Sequence, residues 1–193
     1  MADLEREAYG PEGEASRHRT LEALSSDLDA LPESDRDSGR VALIVRRRAD
    51  GVRETPDRVR LTLEEGVPGD GWCRRPPRDP EAQLAVMRRD VALLIANGQP
   101  LTVFGDNLFV DLDISAANLP VATRLSVGEA LVEVTPKPHN GCAKFKARFG
   151  LDALRLVQAG ATRDQNLRGI YWKVVEPGEA GMGDAIRVVS RGA

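Results

Sequence analysis

The chain has few aromatic residues, few cysteines and no long apolar run. Aromatic side chains make up 4% of its 193 residues, so the core has to be built mainly from Leu, Val, Ile and Ala. Two cysteines, Cys73 and Cys142, are too few for a disulfide framework. No apolar stretch approaches the length of a membrane-spanning helix, and the first residues lack the apolar core of a signal peptide. We therefore expect a cytoplasmic protein with reduced thiols that does not bind membranes.

The chain also lacks an excess of basic charge. Its net charge is −3 and its pI is near 5.5, whereas dedicated nucleic-acid-binding proteins are usually basic overall. Residues 1–40 hold eleven Asp and Glu against five Arg, a net charge of −6, which leaves +3 for residues 41–193. The sequence thus predicts an acidic N-terminal segment before a mildly basic domain, and it excludes nucleic acid as the expected partner.

The acidic segment contains one helical pattern. Four leucines recur at the spacing of a single helix face: Leu21, Leu24, Leu28 and Leu31. Thr20 can cap the start of this helix and Pro32 can end it. The pattern favours a helix that packs on the following domain, and the alternative is a helix that docks to another subunit.

From Val41 onward, short runs of β-branched residues are separated by Gly- and Pro-rich turns. A strand is predicted over about residues 83–87 and a helix over about 90–96. The segment "LTVFGDNLFVDLD" is predicted to be a strand interrupted at residues 105–107. "RLSVGEALVEVT" is predicted to form a hairpin, and "GIYWKVV" and "DAIRVV" a second hairpin joined by "EPGEAGMG".

Many short strands with only short helices favour a closed or curled β-barrel. The predicted fold class is therefore mostly β with short helices. We divide the chain into a partly helical, acidic extension at residues 1–38 and a barrel domain at residues 39–193.

The segment "PKPHNGCAKFKARFG", residues 136–150, places Cys142 after a Gly-containing turn and before a predicted short basic helix. A helix N-terminus and nearby cations such as Lys144 favour the thiolate, which is the nucleophilic and metal-binding form of cysteine. The alternative is that Cys142 is a small buried hydrophobic residue. Cys73, in another long loop, is either incidental or a resolving partner for Cys142.

Other polar residues are candidates for the same site. His139 can serve as a proton relay or an orienting donor beside the thiol, or it can be an exposed loop histidine. The chain has too few closely spaced Cys and His for a structural zinc site. Asp106 and Asn107 follow Gly105 at a break in a strand, where a ligand can approach closely, although an Asx turn is the alternative. Arg168, beside a glycine, can contact an anion.

Four segments together resemble the MOSC domain, a module named for the C-terminal domain of molybdenum-cofactor sulfurases: "EEGVPGDGW", "GDNLFVDLDISAANLP", "LSVGEALVEVTPKPHNGCAKFKARFG" and "LRGIYWKVVEPGEAGMGDAI". The resemblance covers roughly residues 39–191 and is strongest to the small, stand-alone MOSC proteins. It implies a MOSC-type β-barrel. It also implies that Cys142 either carries sulfur as a persulfide or ligates the molybdenum of a bound molybdopterin cofactor.

In such relatives an Asn and basic residues help to hold the cofactor. The matching candidates here are Asn107 and Arg168, with Asp106 and Lys144 beside them; His139 joins Cys142 as a catalytic candidate. Pyridoxal phosphate binding belongs to the wider family, and we expect no desulfurase domain in this chain to use it. The expected partners are therefore a cysteine desulfurase or a molybdoenzyme.

Three functions follow from these observations. The first is handling of sulfur or of the molybdenum cofactor through Cys142. The second is a non-catalytic barrel that binds an anionic ligand or a partner. The third is a small molybdopterin-dependent oxidoreductase.

Overall fold

A computed structural model describes residues 10–74 and 77–192 of the chain. Its strands are β1 (Ser38–Ile44), β2 (Arg46–Arg47), β3 (Arg53–Glu54), β4 (Arg58–Leu61), β5 (Leu84–Arg88), β6 (Leu108–Asp111), β7 (Arg124–Val127), β8 (Ala130–Val134), β9 (Ile170–Glu176), β10 (Gly178–Gly181) and β11 (Ala185–Ser190). Its α-helices are α1 (Leu21–Asp29), α2 (Gly71–Arg74), α3 (Arg89–Ala96), α4 (Ala143–Phe149) and α5 (Leu151–Gln158). Short 3-10 helices cover Ala15–Arg17, Pro80–Ala82, Leu101–Val103 and Gly160–Gln165.

Seven strands close into a barrel in the order β1, β11, β7, β8, β9, β5 and β6, with β6 pairing back to β1. The pair β5 and β6 is parallel, and the other neighbours are antiparallel. Two small sheets, β2 with β3 and β4 with β10, complete the strand pairing. Closure gives each barrel strand a partner on both sides. The predicted mostly-β barrel with short helices is confirmed.

Alternating side chains fill the barrel interior. In β8, Ala130, Val132 and Val134 are buried while the residues between them are partly exposed, the period of two that a pleated strand imposes. Trp172 of β9 is fully buried in this aliphatic cluster. The interior is therefore a packed core, and a ligand site has to lie at an end or on the outside of the barrel.

A second core lies between the barrel and the helices. Four phenylalanines form its centre: Phe104, Phe109, Phe145 and Phe149. The rings of Phe104 and Phe149 stack with centroids 4.1 Å apart. Because two of these phenylalanines belong to α4, the same packing that builds this core fixes the helix that follows Cys142.

Helix α1 packs on this second core, as its leucine pattern indicates. The Thr20 side chain accepts a hydrogen bond from the Ala23 amide at 3.3 Å and caps the helix. Leu24 is buried, and Leu28 and Leu31 pack against the same cluster. This helical part of the acidic segment is thus docked on the domain that follows it.

Two strand predictions are wrong. The segments "GIYWKVV" and "DAIRVV" do not pair with each other, because β9 lies between β8 and β5 and β11 lies between β1 and β7. The connection between them forms its own strand, β10, which pairs with β4. Residues 101–103 are also not a strand: they form a 3-10 turn closed by a bond from the Val103 amide to the Pro100 carbonyl.

Within residues 10–74 and 77–192, no helix has the length and apolar character needed to cross a membrane.

Candidate functional site

Cys142 is the N-cap residue of α4, and its side chain is exposed. It makes no capping bond to the part of the chain that the structure describes. Within α4, Phe145 and Phe149 are 3% and 1% exposed and anchor the helix in the second core. The thiol therefore stands exposed at the end of a fixed helix, and it is not a buried hydrophobic residue.

The turn before Cys142 is tightly held. A Cβ on Gly141 would lie 2.4 Å from Cδ1 of Leu154, so a larger residue fits only if the end of that leucine side chain shifts. The Gln158 amide donates to the Gly141 carbonyl at 3.1 Å. Upstream, Lys137 forms an ion pair with Asp79. These contacts fix the loop that presents the cysteine on both sides.

Asp106 and Arg168 form a buried ion pair behind this loop. Asp106 is fully buried, and both of its carboxylate oxygens lie 2.9 Å from Nη1 of Arg168. The Arg168 guanidinium stacks over the Phe145 ring at 5.1 Å. Its Nε has no hydrogen-bond partner among the residues that the structure describes. Two of the predicted cofactor-binding residues thus neutralise each other directly beneath α4.

His139 is buried against the same pair. Its ring lies 4.3 Å from the Tyr171 ring, and its Nδ1 lies 3.7 Å from Oδ1 of Asp106. This nitrogen has no hydrogen-bond partner within the described residues. Burial lowers the pKa of His139 well below 6.5, and the positive charges of Arg168 and Arg47 lower it further. His139 is therefore a neutral imidazole at pH 7 and not an exposed loop histidine.

The side-chain amide of Asn107 forms hydrogen bonds to distant segments of the chain. Its Oδ1 accepts hydrogen bonds from the Ala85 amide at 3.1 Å and from Nη2 of Arg47 at 3.4 Å. Its Nδ2 donates to the Val45 carbonyl at 3.4 Å. Since the residue is 1% exposed, both ends of its amide are committed to the fold. Asn107 therefore holds Ala85 and Arg47 in place next to the candidate site.

Arg47 and Asp70 form a second buried pair that sequence reasoning missed. Nε of Arg47 lies 3.0 and 3.1 Å from the two carboxylate oxygens of Asp70, and Nη1 donates to the Gly105 carbonyl at 2.8 Å. Burial alone would raise the pKa of Asp70, but the Arg47 charge and its hydrogen bonds outweigh burial and hold the pKa below its usual value. In the sequence, Arg47 stands in an Arg-Arg-Arg run and Asp70 stands in a Gly- and Pro-rich stretch, and nothing local connects the two residues.

A cavity of about 270 Å³ lies against Arg47 and His139. Its walls combine three rings, two guanidinium groups and one carboxylate: Trp72, His139, Tyr171, Arg47, Arg78 and Asp79. The Arg78 guanidinium lies 5.9 Å from the Trp72 ring centroid. Flat rings and cations together suit a planar ligand that carries negative charge.

Cys142 is not among the residues that line this cavity. Two residues of chain separate it from His139, which does line the cavity, and this limits the distance between the two Cα atoms to about 11 Å. Lys144 lines a different cavity of about 390 Å³, between α4 and residues 10–13. Among the residues described, no group of three or more His, Cys, Asp or Glu could hold a metal ion.

Cys73 has a structural contact. Its thiol lies 2.9 Å from the Asp70 carbonyl and donates to it, and the residue is half-buried. Burial raises the pKa of the Cys73 thiol. Cys73 therefore stays protonated at neutral pH.

The sequence matches a family model for the MOSC domain over residues 79–187, more than half of the chain. The chain belongs to the MOSC domain family. The matched range begins after β1, yet in this MOSC protein β1 lies between β11 and β6 and closes the barrel. A search of curated protein sequences gave no match.

Solved structures show the same fold. The YuaD protein from Bacillus subtilis is 16% identical, with 83% of this chain and all of that chain covered, at a TM-score of 0.61. YiiM from Escherichia coli is 24% identical, with 80% of this chain and 71% of that chain covered, at a TM-score of 0.53. YiiM from Geobacillus stearothermophilus is 16% identical, with 80% and 77% covered, at a TM-score of 0.52. At these identities the likeness concerns the fold alone.

Proposed function

We propose that this MOSC protein carries sulfur on Cys142 as a persulfide and passes it to an acceptor that belongs to the chemistry of the molybdenum cofactor. The observation that carries the proposal is the exposed Cys142 thiol at the start of α4, two residues along the chain from His139, which lines a cavity with three rings and two guanidinium groups. Membership in the MOSC family supports it, because the family is associated with the molybdenum cofactor and with sulfur transfer.

The loading step is a thiol exchange. The Cys142 thiolate attacks the outer sulfur of a donor persulfide, a sulfur–sulfur bond to Cys142 forms, and the bond within the donor breaks. The donor leaves as a thiolate, so no outside oxidant or reductant is needed. Delivery repeats the exchange with Cys142 as the leaving thiolate. An exposed sulfur suits both steps, since donor and acceptor have to reach it in turn.

The residues around the cavity fit the anionic, heterocyclic part of the cofactor. Arg47 and Arg78 would attract its phosphate, and Trp72 and Tyr171 would stack on its rings. The buried Nδ1 of His139, which lacks a partner within residues 10–74 and 77–192, leaves one polar atom in this wall for a ligand or water to satisfy. A bound molybdenum cofactor would supply a metal centre with affinity for sulfur ligands.

Two features favour sulfur transfer over permanent metal ligation by Cys142. The thiol is exposed and lies outside the set of residues that line the cavity. In the described residues, no cluster of further His, Cys, Asp or Glu ligands accompanies it. His139 is neutral at pH 7, so its ring can donate a hydrogen bond from one nitrogen and accept a hydrogen bond at the other without placing a charge in the cavity wall.

The test is persulfide loading in vitro. We expect the purified protein, mixed with glutathione persulfide, to gain one sulfur atom on the peptide that contains Cys142, detected by mass spectrometry. The Cys142→Ser variant should not gain it, whereas the Cys73→Ser variant, altered at a half-buried thiol, should load like the wild type. Equal loading of Cys73 and Cys142, or no loading of either, contradicts the proposal.

The ring-lined cavity also favours a second function, a barrel that binds an anionic heterocycle without chemistry at the thiol. In that case Cys142→Ser should bind molybdopterin as tightly as the wild type, and elemental analysis should find molybdenum equally in both after purification from a cofactor-producing host. A molybdenum content that disappears in Cys142→Ser would instead indicate a metal ligand and an oxidoreductase.

A further inference from the structure

Gly105 lines the cavity of about 270 Å³, and the backbone there does not require a glycine. A Cβ at this position would have none of the described residues within 4 Å, its chain neighbours aside, and its φ lies outside the left-handed region. At other glycines a Cβ would collide with the backbone: at Gly13 it would lie 2.2 Å from the Arg148 carbonyl oxygen, and at Gly169 it would lie 2.2 Å from the Val86 carbonyl oxygen. The fold therefore accommodates a larger residue at position 105, and the space beside it is empty.

Contacts on both sides hold the backbone of Gly105 in place. Its carbonyl accepts a hydrogen bond from Nη1 of Arg47 at 2.8 Å. Before it in the chain, the buried ring of Phe104 stacks on Phe149 with centroids 4.1 Å apart. After it, Asp106 has no exposed surface. A side chain added at residue 105 would therefore extend into the empty space, because the backbone that carries it is fixed.

The opposing walls of the cavity are also held by contacts. Nε1 of Trp72 donates a hydrogen bond to the Asp79 carbonyl at 3.0 Å, and the rings of His139 and Tyr171 lie 4.3 Å apart. The His139 side chain is only 7% exposed, and its Nδ1 has no hydrogen-bond partner within residues 10–74 and 77–192. A buried polar atom without a partner is rare in folded proteins and indicates a missing polar neighbour. The cavity thus has fixed dimensions and a wall that calls for a polar ligand or water.

The volume of the cavity limits the size of its ligand. A water molecule takes about 30 Å³ in the liquid, so a cavity of about 270 Å³ has room for about nine waters. Because covalently joined atoms pack more closely than waters do, this space is sufficient for a fused two-ring system with one small anionic group. The side chain of a leucine at residue 105 would take roughly 100 Å³ on the same scale, which leaves room for a single ring.

We propose that Gly105 is a specificity-determining residue: because it carries no side chain, the cavity takes a planar two-ring anion in preference to a single-ring anion. The inference rests on the proposed function, which assigns this cavity to an anionic heterocycle, and it adds the residue that sets the size of that ligand. The rings of Trp72 and Tyr171 and the guanidinium groups of Arg47 and Arg78 select for a flat shape and negative charge. They do not by themselves select for size.

The experiment compares two probes by isothermal titration calorimetry: pterin-6-carboxylate, which has two fused rings, and pyrazine-2-carboxylate, which has the carboxylate-bearing ring alone. We expect the wild type to bind pterin-6-carboxylate more tightly. Gly105→Leu should weaken the binding of pterin-6-carboxylate by at least about tenfold and that of pyrazine-2-carboxylate by less than about threefold, because the added side chain occupies the space of the second ring. Gly105→Ala, which adds one carbon atom, should give an intermediate loss.

The matched control is Gly160→Leu. A Cβ at Gly160 also has no described residue within 4 Å and no left-handed φ, and Gly160 does not line this cavity. Both affinities should therefore stay at the wild-type values, and urea unfolding should show that Gly105→Leu and Gly160→Leu are equally stable. If Gly105→Leu does not fold, Gly105→Ala gives the answer, since its single added carbon meets no described atom.

Three results overturn the inference: wild-type protein that does not bind pterin-6-carboxylate, Gly105 variants that bind it as the wild type does, and equal losses for the two probes. Persulfide loading of the wild type separates the two proposals, because glutathione persulfide can load Cys142 with the cavity empty. Lost loading with intact size selectivity refutes only sulfur transfer. Normal loading without size selectivity refutes only the role of Gly105.

Discussion

The buried pair of Asp106 and Arg168 gives the most demanding test of the site's energetics. Asp106 has no exposed surface, the Arg168 side chain is 8% exposed, and both carboxylate oxygens lie 2.9 Å from one guanidinium nitrogen. Asp106→Asn keeps the shape of the side chain but removes its charge. The Arg168 cation then stays buried without a counter-charge, a situation that costs about 3–5 kcal/mol in other proteins.

Such a loss is large beside the total stability of a domain, which is about 5–15 kcal/mol. With a urea dependence of about 2–3 kcal/mol per molar, the midpoint of unfolding should fall by about 1–2 M. Equilibrium urea unfolding at pH 7.5, followed by far-ultraviolet circular dichroism, measures it. The matched control is Asp111→Asn, which breaks an exposed pair with Arg89 at 2.7 Å and should cost less than about 1 kcal/mol.

A double variant completes the cycle. Replacing Arg168 by Met together with Asp106→Asn removes the stranded charge, so the double variant should be less destabilised than the sum of the two single variants, by about 1–3 kcal/mol. Strictly additive losses, or an Asp106→Asn loss no larger than that of Asp111→Asn, would refute the view that the two charges depend on each other.

Three further outcomes are expected. At about pH 8, iodoacetamide should label Cys142 in the native protein and Cys73 only after denaturation, because burial raises the pKa of Cys73; peptide mass spectrometry checks this. Because the pKa of His139 is lowered well below 6.5 in the fold, only the unfolded state binds its proton just below pH 6.5. The free energy of unfolding should therefore decrease as the pH is lowered through this range, by at most about 1.4 kcal/mol per pH unit. His139→Phe should make this pH dependence weaker in urea titrations. Thr20→Ala removes the cap on the Ala23 amide and should cost about 1 kcal/mol in the same assay; unchanged stability would show that α1 is held by packing alone.

Local features of the fold could be predicted from the sequence because they depend on neighbours along the chain. The leucine spacing and Thr20 gave α1, and Asn97, which adopts the left-handed conformation, ends α3 as its Asn-Gly pair indicates. The hairpin of β7 and β8 turns at Gly128 as predicted. The exposed position of Cys142 at the start of a short helix was also foreseeable, since a Gly-containing turn precedes a run with Phe145 and Phe149 on one face.

The pairings within the site could not be predicted in the same way. Asp106 and Arg168 are 62 residues apart, and Arg47 and Asp70 are 23 apart. Each of these residues has a local explanation as a turn or a strand end, so the sequence gives no reason to connect them. The prediction of the second hairpin was wrong for the same reason. The strands β9 and β11 are close in the chain, with only β10 between them, but in the barrel each pairs with other strands.

By itself, the amino-acid sequence determined the strand-rich composition, the caps and turns, and a thiol placed after a glycine turn, because short-range sterics and periodicity act within a few residues. Only the tertiary structure decided that His139 is buried and neutral, that Asp106 and Arg168 neutralise each other, and that the backbone at Gly13 lies against the Arg148 carbonyl. Burial and charge pairing depend on which distant segments close over a group, and that choice is made by the closed barrel and the phenylalanine core as a whole.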